Sequence, residues 1–251
     1  MFYVLPNPHA IAEYLSNLLV QKIQENPKLV LGLATGSTME PIYAAFVVQA
    51  KQLGLNLNDI VTFNLDEYIG LAPEHPQSYH HYMQTHLFKP AGIRQEQVSL
   101  PSGMCRDVEL ECVNYSKKIQ AAGGLDFQLL GIGTNGHIGF NEPGTPFSSL
   151  THVVDLSENT RRDNGRFFED KSQVPTQAIT MGIEDIMSAK EVVLVATGSH
   201  KAEVMAKLFE TAIDEDMPAS IIKSHDNFKI IVDQAAAELL PAQAEQTRIA
   251  C

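Results

Sequence analysis

Cysteine is scarce: Cys105, Cys112 and Cys251 are the only three among 251 residues. An odd and small number gives no disulfide framework and points to a reducing, cytoplasmic setting. Basic residues are also few, 18 Lys and Arg against 30 Asp and Glu, for a formal net charge of −12. That balance argues against a nucleic acid or an anionic membrane as partner and allows a small anionic ligand only in a locally basic pocket. No apolar run reaches the ~18 residues of a membrane span. The opening stretch MFYVLPNPHAIAEYL lacks the basic segment, apolar core and small-residue cleavage site of a secretory signal. No repeat, low-complexity tract or Ser/Gly/Pro-rich linker divides the chain, which predicts one domain over residues 1–251.

Apolar residues make up 44% of the chain, enough for a large core. Their spacing sets out the elements. Asn7 suits a helix cap and Pro8 a first helical position, and Ile11, Leu15, Leu18, Leu19 and Ile23 form a stripe that stops at Asn26-Pro27. Strands are predicted over 29–33, 60–65, 125–130, 177–181, 191–195 and 228–232. Helices are predicted over 39–52, 78–88, 108–121, 199–211 and 234–240. This alternation is that of an α/β fold: a mostly parallel sheet with helices on both faces, Rossmann-like. Such sheets bind ligands beyond the carboxyl ends of their strands.

Four strand ends carry unusual chemistry. Ala34-Thr35-Gly36-Ser37-Thr38 combines a glycine, hydroxyls and a helix start, the makings of an anion site, although no P-loop Gly-Lys-Ser/Thr follows. Asn64-Leu65-Asp66-Glu67-Tyr68 ends a strand in two carboxylates. Strand alternation sends them to opposite sides, so one can face a cleft while the other serves the structure. Gly131, Gly133 and Gly136 form G-x-G-x-x-G, with Asp155 at a ribose-like distance. A dinucleotide site also needs a helix after the last glycine, and Gly139, Pro143, Gly144 and Pro146 forbid one. What remains is a loop presenting Asn135, His137 and Glu142. The fourth end, Ala196-Thr197-Gly198-Ser199-His200-Lys201, sets a lysine at a helix start, where it opposes the helix dipole unless an anion is bound.

Two further clusters stand out. Arg161, Arg162 and Arg166 fall close together in a chain poor in cations, and arginine forks suit phosphate. His75, His80, His81 and His86 crowd one stretch, but no Cys or carboxylate set and no H-E-x-x-H completes a metal shell.

Together and in this order, LGLATGST, VTFNLDEYIGL with EHPQSYHHYM, GIGTNGHIGFNEPG, NTRRDNGRFF and ATGSHKA resemble the glucosamine-6-phosphate deaminase (isomerase) family from Leu31 to Lys201. The resemblance implies conversion of glucosamine 6-phosphate and water to fructose 6-phosphate and ammonium, without metal or organic cofactor. It implies that Asp66 is the base for the C2 proton, His137 the ring-opening acid/base and Glu142 its partner. Asn135 stands where many members have aspartate; it can orient the histidine but carries no charge. Thr35, Gly36, Ser37, Thr38, Arg166 and Lys201 match the phosphate-binding set. Allosteric members carry an arginine and a lysine shortly after the Asn-Glu-Pro motif. Here those positions are His152 and Val154, which implies a short, non-allosteric type, monomeric or a small homo-oligomer. Two alternatives are a 6-phosphogluconolactonase-like hydrolase and a non-catalytic sugar-phosphate sensor domain. The sensor would want a helix-turn-helix, for which the first 28 residues are too few.

Overall fold

The computed structural model describes residues 2–157, 161, 168 and 173–241. Seven strands form a sheet in the order β1-β10-β9-β6-β2-β3-β5, every pairing parallel. They are β1 (Phe2–Leu5), β2 (Val30–Leu33), β3 (Val61–Asn64), β5 (Val98–Ser99), β6 (Phe127–Leu130), β9 (Val192–Ala196) and β10 (Phe228–Asp233). β2, β6 and β9 are buried along their whole length, as strands covered on both faces must be. The covering helices are α1 (Pro8–Glu25), α2 (Glu40–Leu53), α3 (Tyr79–Met83), α4 (Lys89–Ala91), α5 (Val108–Ala121), α6 (Ile183–Met187) and α7 (Ala202–Glu210). The Asn7 side chain accepts the Ala10 N–H at 2.9 Å and Pro8 opens α1, as the sequence predicts. Ile11, Leu15, Leu19 and Ile23 then go into a core that draws residues from Val4 to Ala236.

A second, antiparallel sheet has the order β4-β8-β7, made of Asp66–Tyr68, Gln177–Thr180 and His152–Asp155. The strand expected at 60–65 therefore does not end at its carboxylates. It changes sheets at Leu65, whose N–H donates to Leu33 O in the large sheet at 3.2 Å and whose carbonyl accepts Met181 N at 2.6 Å.

Other expectations need correction. Residues 177–180 form a strand, but in the small sheet and antiparallel. Residues 234–239 make consecutive turns rather than a helix. The 78–88 helix is α-helical only to Met83 and then widens into a π-turn, Gln84–Phe88. β1, β5, β7, α6 and a 3₁₀ segment at Pro218–Ser224 were not foreseen from the sequence pattern. The two- to four-residue strands are too short to show a period and exist because a partner strand pairs with them.

Candidate active site

All four strand ends flagged by the sequence reach one cavity of about 790 Å³. The loop after β2 contributes Thr35 to Thr38, β4 contributes Asp66, the loop after β6 contributes Asn135 and His137, and the segment after β9 contributes Lys201. Their convergence follows from the parallel order of β9, β6, β2 and β3, which brings four carboxyl ends side by side.

Asp66 is 6% exposed, and among the described residues none hydrogen-bonds its carboxylate. Burial, reinforced by the neighbouring Glu67 charge, pushes its pKa up to about 8. Glu67 points the other way. Its carboxylate accepts the backbone N–H groups of Tyr68 at 2.8 Å, Tyr79 at 3.0 Å and His80 at 2.9 Å. Burial raises the Glu67 pKa too, and these three donors work against the rise. The alternation of β4 thus gives one carboxylate to the cavity and the other to the first turn of α3, where Ser78 Oγ also accepts His81 N at 3.0 Å.

The wall beside Asp66 is aromatic. Tyr68, Tyr79, Phe140 and Phe168 pack as a cluster with centroid separations from 4.9 to 6.2 Å, and the Tyr79 hydroxyl donates to that of Tyr68 at 3.2 Å. Tyr68, Tyr79 and Phe140 all lie inside the recognised motifs, yet nothing in their spacing marks them as one wall. The chain first has to fold β4 against the loop after β6.

The glycine-rich loop behaves as expected of a non-dinucleotide segment: no helix occurs between Gly136 and Ser157. It brings Asn135, His137 and Glu142 together. His137 Nδ1 lies 3.7 Å from Glu142 Oε2, an ion-pair separation beyond hydrogen-bond length, and is buried with no hydrogen-bond partner. The Asn135 amide donates to the same Glu142 oxygen at 2.6 Å, while Asn135 Oδ1 accepts the His137 backbone N–H at 3.2 Å. Asn135 therefore holds the carboxylate and the loop, not the imidazole itself. Gly133 seats the ring: a Cβ there would fall 2.1 to 2.4 Å from three imidazole atoms.

This arrangement predicts the outcome of Asn135→Asp. Two carboxylates 2.6 Å apart cannot both ionise freely, so the pair shares a proton and one group titrates at higher pH. Turnover is expected to stay within about tenfold of the parent at its optimum, with a further titrating carboxyl added to the acidic limb that Asp66 sets. The pH–rate profile checks this, and a profile identical to the parent's throughout would contradict the pairing.

At the other end of the cavity, Gly36 adopts φ +109, a region that favours glycine, and α2 starts without a side-chain cap. Its leading N–H groups are thus not taken up by a capping side chain, as an anion site requires. Lys201 lines the same cavity and donates to Ile132 O at 2.8 Å, so it leans over the loop after β6. Arg166 and Arg162 lie outside the described residues, and Arg161 does not line the cavity.

A parallel α/β sheet whose strand ends join an anion-type loop to a buried carboxylate and a His–Glu pair is the frame of a sugar-phosphate enzyme. Residues 8–231 match the family of glucosamine-6-phosphate isomerases and 6-phosphogluconolactonases, and the chain belongs to that family. Within it, the chain is similar to the glucosamine-6-phosphate deaminase of Shouchella clausii, 50% identical over 238 residues that cover 95% of this chain and 96% of the relative. That of a Geobacillus species is 48% identical over 235 residues, 94% of each chain. A solved monomeric glucosamine-6-phosphate deaminase superimposes with a TM-score of 0.93 at 41% identity, covering 95% of this chain and all of that one. The 6-phosphogluconolactonase of Thermotoga maritima, with a TM-score of 0.75 at 20% identity, shares the fold and covers 93% of this chain and 99% of its own.

Proposed function

We propose that this chain is an enzyme of amino-sugar metabolism that converts glucosamine 6-phosphate and water to fructose 6-phosphate and ammonium. The observation that carries the reading is a buried carboxylate, Asp66, sharing one cavity with His137 and the Thr35–Thr38 loop, while Glu142 stands 3.7 Å from His137 Nδ1 without itself lining the cavity. His137 opens the ring by moving a proton from the anomeric hydroxyl to the ring oxygen, a task suited to imidazole near neutral pH. Glu142 balances the imidazolium formed on the way, and Asn135 keeps that carboxylate in place. Asp66 then removes the C2 proton of the open-chain sugar and returns it to C1, while the C1 oxygen takes up a proton given up by the amine, which leaves an imine at C2. Water adds to the imine and ammonia departs. The phosphate is held by Thr35, Gly36, Ser37, Thr38 and Lys201, with Arg166 as a further member of the set. No metal or organic cofactor enters this scheme.

The test is to incubate the chain with glucosamine 6-phosphate and follow ammonium and fructose 6-phosphate together. Equal release of both is expected, and glucosamine without its phosphate is expected to be a very poor substrate in turnover as well as affinity. Hydrolysis of 6-phosphogluconolactone with no ammonium from the amino sugar would overturn the reading.

A cytoplasmic setting and a monomer or small homo-oligomer belong to the same reading; among the described residues no helix is long and apolar enough to cross a membrane. His152 and Val154 lie on β7, and the stretch from Ser148 to Leu156 holds no Lys or Arg. Histidine and valine do not supply two fixed cations for a dianionic effector. Hyperbolic saturation is therefore expected, unchanged by N-acetylglucosamine 6-phosphate near pH 7.5. Substrate titrations with and without that ligand check it, and a sigmoidal curve made hyperbolic by the ligand would refute it.

A further inference from the structure

The reaction leaves the histidine-rich stretch before α4 without a role. We propose that His86 is a phosphate-binding residue, donating a ring N–H to the ligand's phosphate beside the Thr35–Thr38 loop. The inference rests on the sugar-phosphate reading above and adds a residue that none of the sequence motifs assigns to the phosphate.

Three observations carry it. First, among the described residues the charge at this end of the cavity is thin. Among the described residues that line it, Lys201 is the only Lys or Arg, and Glu40, the first residue of α2, adds a carboxylate. With Lys201 and Arg166 as its cations, a phosphate dianion there still has oxygen lone pairs for a further donor.

Second, His86 lines the same cavity and is held in place. Its ring packs on Tyr82 with centroids 4.5 Å apart and planes at 38°. The Tyr82 hydroxyl in turn donates to Gly36 O at 2.8 Å, at the glycine that gives the loop its left-handed turn. The imidazole is thus fixed one side chain away from the loop. Its N–H can donate whether the ring is neutral or protonated, and a bond to an anionic oxygen is among the stronger kinds.

Third, His86 sits in the π-turn Gln84–Phe88. Such turns give up regular helical hydrogen bonding and recur at functional sites. Here Leu87 and Phe88 anchor the turn in the core, and His86 stays at the cavity.

The test uses inorganic phosphate as the probe on the whole chain. Calorimetric titration is expected to show about tenfold weaker phosphate binding in His86→Ala, partly recovered in His86→Gln, whose amide keeps one donor. Affinity in His86→Ala within about twofold of the parent would overturn the proposal, as would a parent chain that binds no phosphate. A measurement on the unmodified protein guards against a variant that fails to fold. The His86 ring-proton resonance, assigned by its absence from the His86→Gln spectrum, should move as phosphate is added, and a resonance that stays in place would also overturn it. Ammonium release from glucosamine 6-phosphate is scored separately. Its absence would overturn the deaminase reading and leave His86 to be decided by the phosphate titrations.

Discussion

Asp66→Asn is expected to lower turnover of glucosamine 6-phosphate by about 10²–10⁴-fold, the usual cost of losing a general base. The substitution keeps the shape of the side chain and touches none of the phosphate loop, so substrate should still bind. The parent should also show its base in the pH profile. A carboxyl raised to about 8 works only once deprotonated, so turnover rises with pH through that value. The same shift has a thermodynamic sign. Between the unfolded carboxyl's pKa of about 3.9 and the folded value of about 8, the folded state binds the extra proton, so stability contributed at this site falls as pH rises. The limiting slope is about 1.4 kcal/mol per pH unit. Asp66→Asn removes this linkage. The variant is expected to melt higher than the parent, by a margin that widens from pH 6 to about pH 8 and then levels off towards pH 9. Thermal melts across that range, beside steady-state rates, check both halves. Near-normal turnover, or a parent melting curve indifferent to pH in this window, would remove Asp66 from its role.

Gly133→Ala is the second large effect, and it comes from a residue that takes no part in the chemistry. A methyl group there would lie 2.1 Å from His137 Cε1 and 2.3 Å from Nδ1, so the ring must leave its seat. Gly133 does not occupy the left-handed region, so alanine meets no backbone strain; the clash is with the imidazole. Turnover is expected to fall by about 10²-fold or more, as for removal of an acid–base group. Phosphate binding at the far end of the cavity should be little changed. Rates and phosphate titrations on Gly133→Ala and His137→Ala, side by side, check this. Full activity in Gly133→Ala would show that the ring does not need the position seen here.

The G-x-G-x-x-G pattern illustrates what the sequence can and cannot convey. Pattern alone excluded a dinucleotide, because proline and glycine after Gly136 stop a helix by local sterics. That Gly133 makes room for an imaginary Cβ's competitor, the His137 ring, depends on where a side chain four residues on folds back. Local propensity carries no such information. The same division runs through the fold. α1 was legible from its cap and apolar stripe, and the strand ends from the change from apolar to small and polar residues. The small sheet was not, because β4, β7 and β8 are four residues or fewer and owe their existence to one another. At the site, the opposite fates of Asp66 and Glu67 followed from strand alternation, and the gathering of the four loops followed from parallel topology. The link from Asn135 to Glu142 did not, since it depends on how the loop closes on itself. Arg166 falls in a segment outside the described residues.

The sheet change at Leu65 has a bearing on how such a scaffold can be altered. Leu65 is bonded to Leu33 of the large sheet and to Met181 just beyond β8 of the small one, and the next residue carries the proposed base. The remaining walls come from loops and from the α3 face, where residues outside Thr35–Thr38, Gly133, Asn135 and His137 can be varied without disturbing either ladder. Moving the carboxylate by even one position would break the join and exchange the places of Asp66 and Glu67. Efforts to broaden the range of sugars accepted should therefore treat residues 64–67 as a fixed datum and vary the chain around it. In a library built on this protein, tolerated changes would collect on the loop residues outside Thr35–Thr38, Gly133, Asn135, His137 and Glu142 and be nearly absent from that four-residue span.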